Sequence, residues 1–253
     1  MVTLKNQTEI DRMREAGRIV GVALRRVADA VQPGVSLAEL DAIAAACIRE
    51  HGARSSFLDY QPRHASTPYP ATLCLSVNDV VVHGIPDGRT VKDGDILSID
   101  CGAEIDGYHG DAAVTVPVGQ VDDAAHRLMT TTREALSAAI GAAVPGARLG
   151  DVSHAVERSS RPYGLLEGCG GHGIGTAMHE DPHVPNTGRP GRGMRLREGL
   201  VIAIEPMLIE GGGDAGRTLA DGWSIATADG SRAAHFEHTV AVTADGPLVL
   251  TTP

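Results

Sequence analysis

The chain has 253 residues, 42% of them hydrophobic, which is enough for a sizeable core and too apolar for a disordered segment. With 32 acidic against 22 basic residues its net charge is −10, which argues against a nucleic-acid or anionic-membrane surface. Aromatics make up only 3%, so aliphatic side chains must fill the core.

In chain order, the segment from Met1 to Arg18 is polar and lacks the apolar centre of a signal peptide. No run approaches the roughly 18 apolar residues of a membrane span, so a cytoplasmic protein is expected. Ile10, Met13, Gly17, Val20, Leu24, Val27 and Val31 recur at steps of three and four, the period of an amphipathic helix, with Thr8 as the expected N-cap. Val31-Gln-Pro-Gly34 ends that helix. Ser36 and Glu39, at capping-box spacing, open another.

Lys92-Asp-Gly-Asp-Ile-Leu-Ser-Ile-Asp100 reads as a charged turn followed by a short strand ending in a carboxylate. His109-Gly-Asp111-Ala-Ala-Val-Thr-Val116 is a second strand with a carboxylate near its start. A further helix is predicted from about Asp122 to Ala143, with Leu128, Ala135, Leu136 and Ile140 as its stripe.

The remainder repeats this pattern. Val144-Pro-Gly-Ala-Arg-Leu-Gly-Asp-Val-Ser-His-Ala-Val156 echoes the stretch from Val31 to Ile43. Arg197-Glu-Gly-Leu-Val-Ile-Ala-Ile-Glu205 echoes residues 92–100, and His235-Phe-Glu237-His-Thr-Val-Ala-Val242 echoes residues 109–116. His83-Gly-Ile-Pro86 and His172-Gly-Ile-Gly175 give a fourth match. Four matches in one order imply an internal duplication. The expected architecture is α+β: one domain over 1–253, made of pseudo-twofold halves of roughly 1–120 and 121–253. Helices should pack on one side of a curved antiparallel sheet.

Equivalent positions converge near a pseudo-twofold axis, which would bring Asp100, Asp111, Glu205 and Glu237 together. Any one of them alone would read as a surface charge. Their neighbours Ile99, Val114, Ile204 and Val240 are apolar, however, and four converging carboxylates repel one another unless protons or cations neutralise them. Two divalent cations would balance the four charges, and a neutral imidazole from His172 would add a ligand without changing that balance. An oxygen-rich set with one imidazole suits manganese, iron or cobalt, with zinc also possible. Cys47, Cys74, Cys101 and Cys169 stand far apart with no C-x-x-C pair, so a thiolate site and a disulfide framework are both disfavoured.

Two other motifs are decoys. His179-Glu-Asp-Pro-His183 satisfies H-E-x-x-H, but Pro182 forbids the helix that a zincin requires. Gly168-Cys-Gly-Gly-His-Gly173 satisfies G-x-G-x-x-G without a clear preceding strand or following helix. His51, His64, His126 and His154 read as surface or helix-end residues.

His83-Gly-Ile-Pro-Asp87, Gly107-Tyr-His-Gly-Asp111, Gly171-His-Gly-Ile-Gly175, His179-Glu-x-Pro182, Glu205-Pro-Met207, Asp221-Gly-Trp223 and Phe236-Glu-His-Thr239 together resemble the type I methionine aminopeptidases of the pita-bread fold. The resemblance runs from about Glu9 to Thr243. It implies two divalent metals on Asp100, Asp111, His172, Glu205 and Glu237, with Asp111 and Glu237 shared between them. It further implies that Glu205 accepts a proton from the attacking water, that His179 contacts the scissile carbonyl and that His83 contacts the peptide nitrogen. The implied activity is removal of the initiator methionine from nascent chains when the second residue is small.

By the same resemblance Tyr69, Cys74, Met178 and Trp223 line the methionine pocket, where sulfur-aromatic contacts suit a thioether. Three positions depart from the family pattern. Met178 stands where an aromatic is usual, Ser66 lies where one commonly precedes Tyr69, and His235 replaces a frequent Gln beside Glu237. The resemblance also implies a bacterial-type minimal enzyme acting as a monomer, with transient ribosome contact. Xaa-Pro aminopeptidases and prolidases share the five ligands but usually carry a large N-terminal domain. Non-catalytic binding proteins of this scaffold lose ligands, and here all five are present.

Overall fold

Asn6 caps the first helix, not Thr8. Its side chain accepts from the Glu9 backbone N–H while Glu9 accepts from the Asn6 N–H, and this reciprocal pair caps α1 (Gln7–Ala30) two residues earlier than expected. The Ser36 and Glu39 pair does the same for α2 (Leu37–Glu50), as predicted. The computed structural model describes residues 2–62 and 65–253, so His64 lies outside the described residues. Asp122 caps α3 (Asp123–Ala142), and α4 (Leu149–Ser159) completes the second helix pair. His51 ends α2, its Nδ1–H donating to the Cys47 carbonyl at 2.8 Å; His126 is exposed on α3 and His154 half-exposed on α4.

The main sheet is antiparallel and its order shows the duplication. Its central seam is the pair Tyr108–Pro117 and Glu237–Thr243. Outward on one side lie Ile96–Ile105 and then Leu73–Val77; on the other lie Val201–Ile204 and then Gly170–Gly173. Helices α1 and α2 cover the first half through Val20, Leu24, Leu40, Leu97 and Ile99. Helices α3 and α4 cover the second through Leu128, Leu136, Val152, Ile202 and Val240. Burying each such side chain contributes about 1.5–3 kcal/mol relative to exposure, so both faces of the duplication are driven by the same apolar stripe.

Two sequence expectations change. The strand containing Asp100 does not end there but runs on to Ile105, leaving Asp100 mid-strand. The His83 and His172 turns are not equivalent: His172 lies in the main sheet, whereas His83 follows Val80–Val82, which pairs with Ile225–Thr227 in a separate three-stranded sheet. Two similar Gly-Ile turns arose on non-corresponding strands. All four cysteines are free, and among the described residues no helix is long and apolar enough to cross a membrane.

Candidate active site

Strand alternation gathers the acids. In Ile96–Ile105, Leu97, Ile99, Cys101 and Ala103 pack into the core under α1 and α2, which turns Asp100 to the opposite face. Asp100 pairs with Ala113, and Gly102 with Asp111, so Asp111 shares that face. Glu237 also pairs with Ala113, and because His238 opposes Ile204, one further step sets Glu237 beside Glu205. All four predicted carboxylates therefore meet on the side of the sheet away from the helices. The Thr239 hydroxyl fixes the seam by accepting from the Asp111 N–H at 3.0 Å and donating to the Asp111 carbonyl at 2.8 Å.

His172 reaches the same floor. Gly171 and Gly173 flank it because a Cβ at either would run into the backbone of Ala203 or Asp181, so the neighbouring strands close tightly around this residue. Its Nδ1–H donates to the Gly173 carbonyl at 2.9 Å, leaving Nε2 as a lone pair. That nitrogen stands 3.7 Å from Asp111 Oδ2 and 3.7 Å from Glu205 Oε1. A lone pair facing two carboxylates calls for a proton or a cation between them.

The carboxylates say the same. Buried oxygens Asp100 Oδ1, Asp111 Oδ1 and Glu237 Oε1 find no hydrogen-bond partner among the described residues. Burial first, then the neighbouring acids, pushes Asp100 and Glu237 well above the usual carboxylate range. Burial also raises Asp111, against the pull of His172. Burial acts upward on Glu205 too, but His235 and His172 outweigh it and hold this acid below its ordinary value. Unpartnered buried oxygens that crave neutralisation are what a cation centre requires, so the residues fit divalent metal. Asp111, His172 and Glu237 form one group with ligand-like spacing, and Glu205, His235 and Glu237 form a second.

Above this floor opens a cavity of about 590 Å³. Tyr69, Cys74, Met178 and Trp223 all line it, as do His83 and His179. Trp223 meets Tyr69 edge to face at 5.1 Å, because Val82 pairs with Ile225 and so draws the Trp223 turn to the His83 turn. His83 has φ 59°, a left-handed backbone that costs roughly 1–3 kcal/mol in a non-glycine residue and is typical of functional positions. His179 lies 4.1 Å from the His172 ring and stacks on Tyr60 at 5.2 Å. Part of His179 is open to the cavity, yet the protein around it and the neighbouring His172 lower its pKa, favouring the neutral ring.

The aromatic missing at Ser66 is supplied from elsewhere by Phe57 and Tyr60. Sequence reading missed both, and also Cys169, Met207 and His183 in the lining. The first two follow α2 in an irregular stretch with no period to mark them. The H-E-x-x-H decoy is a strand, Glu180–Pro185, with no helical face on which two histidines could share a metal.

The profile of metallopeptidase family M24 matches residues 11–244. The chain belongs to that family. Within M24, it is 51% identical to methionine aminopeptidase 1 of Mycobacterium tuberculosis, over 99% of this chain and 95% of that one. It superposes on the crystal structure of the Thermotoga maritima methionine aminopeptidase with a TM-score of 0.95 and 40% identity, both chains fully covered. The Xaa-Pro dipeptidase of Bacillus anthracis, at TM-score 0.78 and 22% identity with 62% of its length covered, shares the fold alone. The pita-bread fold and the methionine aminopeptidase branch of M24 are thus those expected from the sequence.

Proposed function

We propose that this M24 enzyme hydrolyses the peptide bond after an N-terminal methionine when the second residue is small. Two divalent cations, cobalt, manganese, iron or zinc, would be held by Asp100, Asp111, His172, Glu205 and Glu237. The observation that carries this reading is the set of buried carboxylate oxygens without partners on the floor of a cavity. Cations bound there would bring the pKa of a water towards neutrality and offset charge building on the carbonyl oxygen.

The protein's own groups supply the remaining steps. Glu205, held in its ionised form, can accept a proton from the attacking water. A neutral His179 can donate a hydrogen bond to the scissile carbonyl, and His83, in a left-handed turn lining the cavity, would offer a second imidazole to the peptide nitrogen and the departing amine. The unbranched methionine side chain suits the wall of Tyr69, Cys74, Met178 and Trp223, where soft thioether and aromatic surfaces match. We further place residues 1–253 in a single catalytic domain, working as a monomer in the cytosol on nascent polypeptide N-termini, with transient ribosome contact.

Metal analysis combined with a peptide panel tests this. Protein loaded with manganese or cobalt should release methionine from Met-Ala peptides and leave Met-Leu peptides intact. Cleavage of Xaa-Pro peptides without methionine release would mark a prolidase instead. Peptide binding without turnover under every metal would mark a non-catalytic scaffold.

A further inference from the structure

His235 is 2% exposed, at the end of the short strand Ala233–His235. Its main chain is clamped from the other half of the molecule. The His235 N–H donates to Thr115 Oγ1 at 2.9 Å, and the Thr115 hydroxyl donates back to the His235 carbonyl at 2.8 Å. From this fixed base the ring carries Nε2 to 3.5 Å from Glu205 Oε2 and 3.9 Å from Glu237 Oε2. These separations are beyond an ordinary hydrogen bond, and Nε2 has no hydrogen-bond partner among the described residues.

Glu205 is therefore divided between two rings, oxygen by oxygen. Its Oε1 faces the lone pair of His172, and its Oε2 faces His235. The rings need not play one part. His172 is fixed as an acceptor by its bond to Gly173, so only a cation or a proton satisfies it towards Glu205. His235 carries no such restriction, and its Nε2 looks only at acceptors.

We propose that His235 is a positioning residue for the metal centre, its Nε2–H facing Glu205 Oε2 and Glu237 and closing on Glu205 Oε2 when a cation binds, so that Glu205 Oε1 stays turned towards the cation. This role rests on the metal reading above. A lone N–H placed between two acids from adjacent strands restrains both, whereas without it like charges would swing apart and the ligand set would have to be reassembled on binding. Outer partners of metal ligands typically contribute 10–100-fold in metal affinity.

The test is calorimetric titration of metal-free protein with Co(II), using wild type, His235→Gln and His235→Leu, with circular dichroism melts to confirm that each is folded. Wild type should bind. His235→Leu should bind roughly 10–100-fold more weakly. His235→Gln, which keeps an N–H donor, should bind close to wild type and give the same Co(II) absorption spectrum. Equal binding by His235→Leu and wild type would overturn the role, as would His235→Gln binding as weakly as His235→Leu. A displaced spectrum in His235→Gln would make the ring a ligand, which also overturns it. Failure of wild type to take up Co(II) would remove the metal reading itself, an outcome distinct from the others.

Discussion

Replacing Glu237 with Gln should stabilise the metal-free protein while abolishing its response to metal. Glu237 is 2% exposed, its Oε1 has no partner among the described residues, and burial with Asp111, Glu205 and Asp100 nearby raises its pKa well above the usual carboxylate range. A group whose folded pKa is raised binds more protons folded than unfolded, so stability falls as pH rises above about 4.5 and towards the folded value. Glutamine has nearly the same shape and no charge. Glutamine avoids the several kcal/mol spent either on burying the charge or on protonating the acid at pH 7.5, part of which is lost because the amide is also poorly bonded, leaving a net gain of about 1–3 kcal/mol. In a chain of this size each kcal/mol moves Tm by about 2–4 °C, so metal-free Glu237→Gln should melt roughly 2–12 °C higher at pH 7.5. The advantage should shrink at pH 5, where wild-type carboxyls gain protons. Adding manganese at about 100 times its Kd should stabilise wild type by about 2.7 kcal/mol and leave the variant nearly unchanged. Calorimetric melts with chelator and with excess metal, at both pH values, measure all four quantities. A metal-free variant less stable than wild type at pH 7.5, or one that keeps the full metal-induced shift, would refute the reasoning.

His179→Ala should retain metal content while kcat falls by about 10²–10³-fold; loss of metal in that variant would disprove its separation from the ligands. Tyr69→Phe removes a buried hydroxyl 2.9 Å from the carbonyls of both Leu73 and Gly84, and urea unfolding should show a loss of about 1–2 kcal/mol. Its KM for methionyl peptides should rise more than its kcat falls, since the change lies in the pocket wall. Asn6→Ala deletes the α1 cap and should cost about 1 kcal/mol in a thermal melt, with kcat/KM unchanged.

The parts of the site that repeat were readable in the chain. Asp100, Asp111, Glu205 and Glu237 sit in matched segments, and alternation along a strand then fixes their common face without further information. The first helix was readable from its period, while its start was not: Thr8 and Asn6 are both good caps, and only the reciprocal bond with Glu9 separates them. The cavity wall was partly hidden. Phe57 and Tyr60 reach it through an irregular segment whose course depends on packing against Tyr69 and His179. The His83 and His172 turns misled because short Gly-rich sequences repeat easily, whereas their strand neighbours differ.

The central seam has one more consequence, which concerns direction. Each half contributes a pair of acids to the floor, Asp100 and Asp111 from one and Glu205 and Glu237 from the other, and four acids alone would give a peptide nothing by which to tell its head from its tail. That distinction must come from groups with no rotated twin. His172 breaks the match within the floor itself, and His179, Tyr69 and Trp223 line the cavity above it. On the proposed reading the paired acids would supply reactivity and the unpaired groups polarity, so changes to the Tyr69 and Trp223 wall should alter which peptides bind before they alter the chemistry beneath.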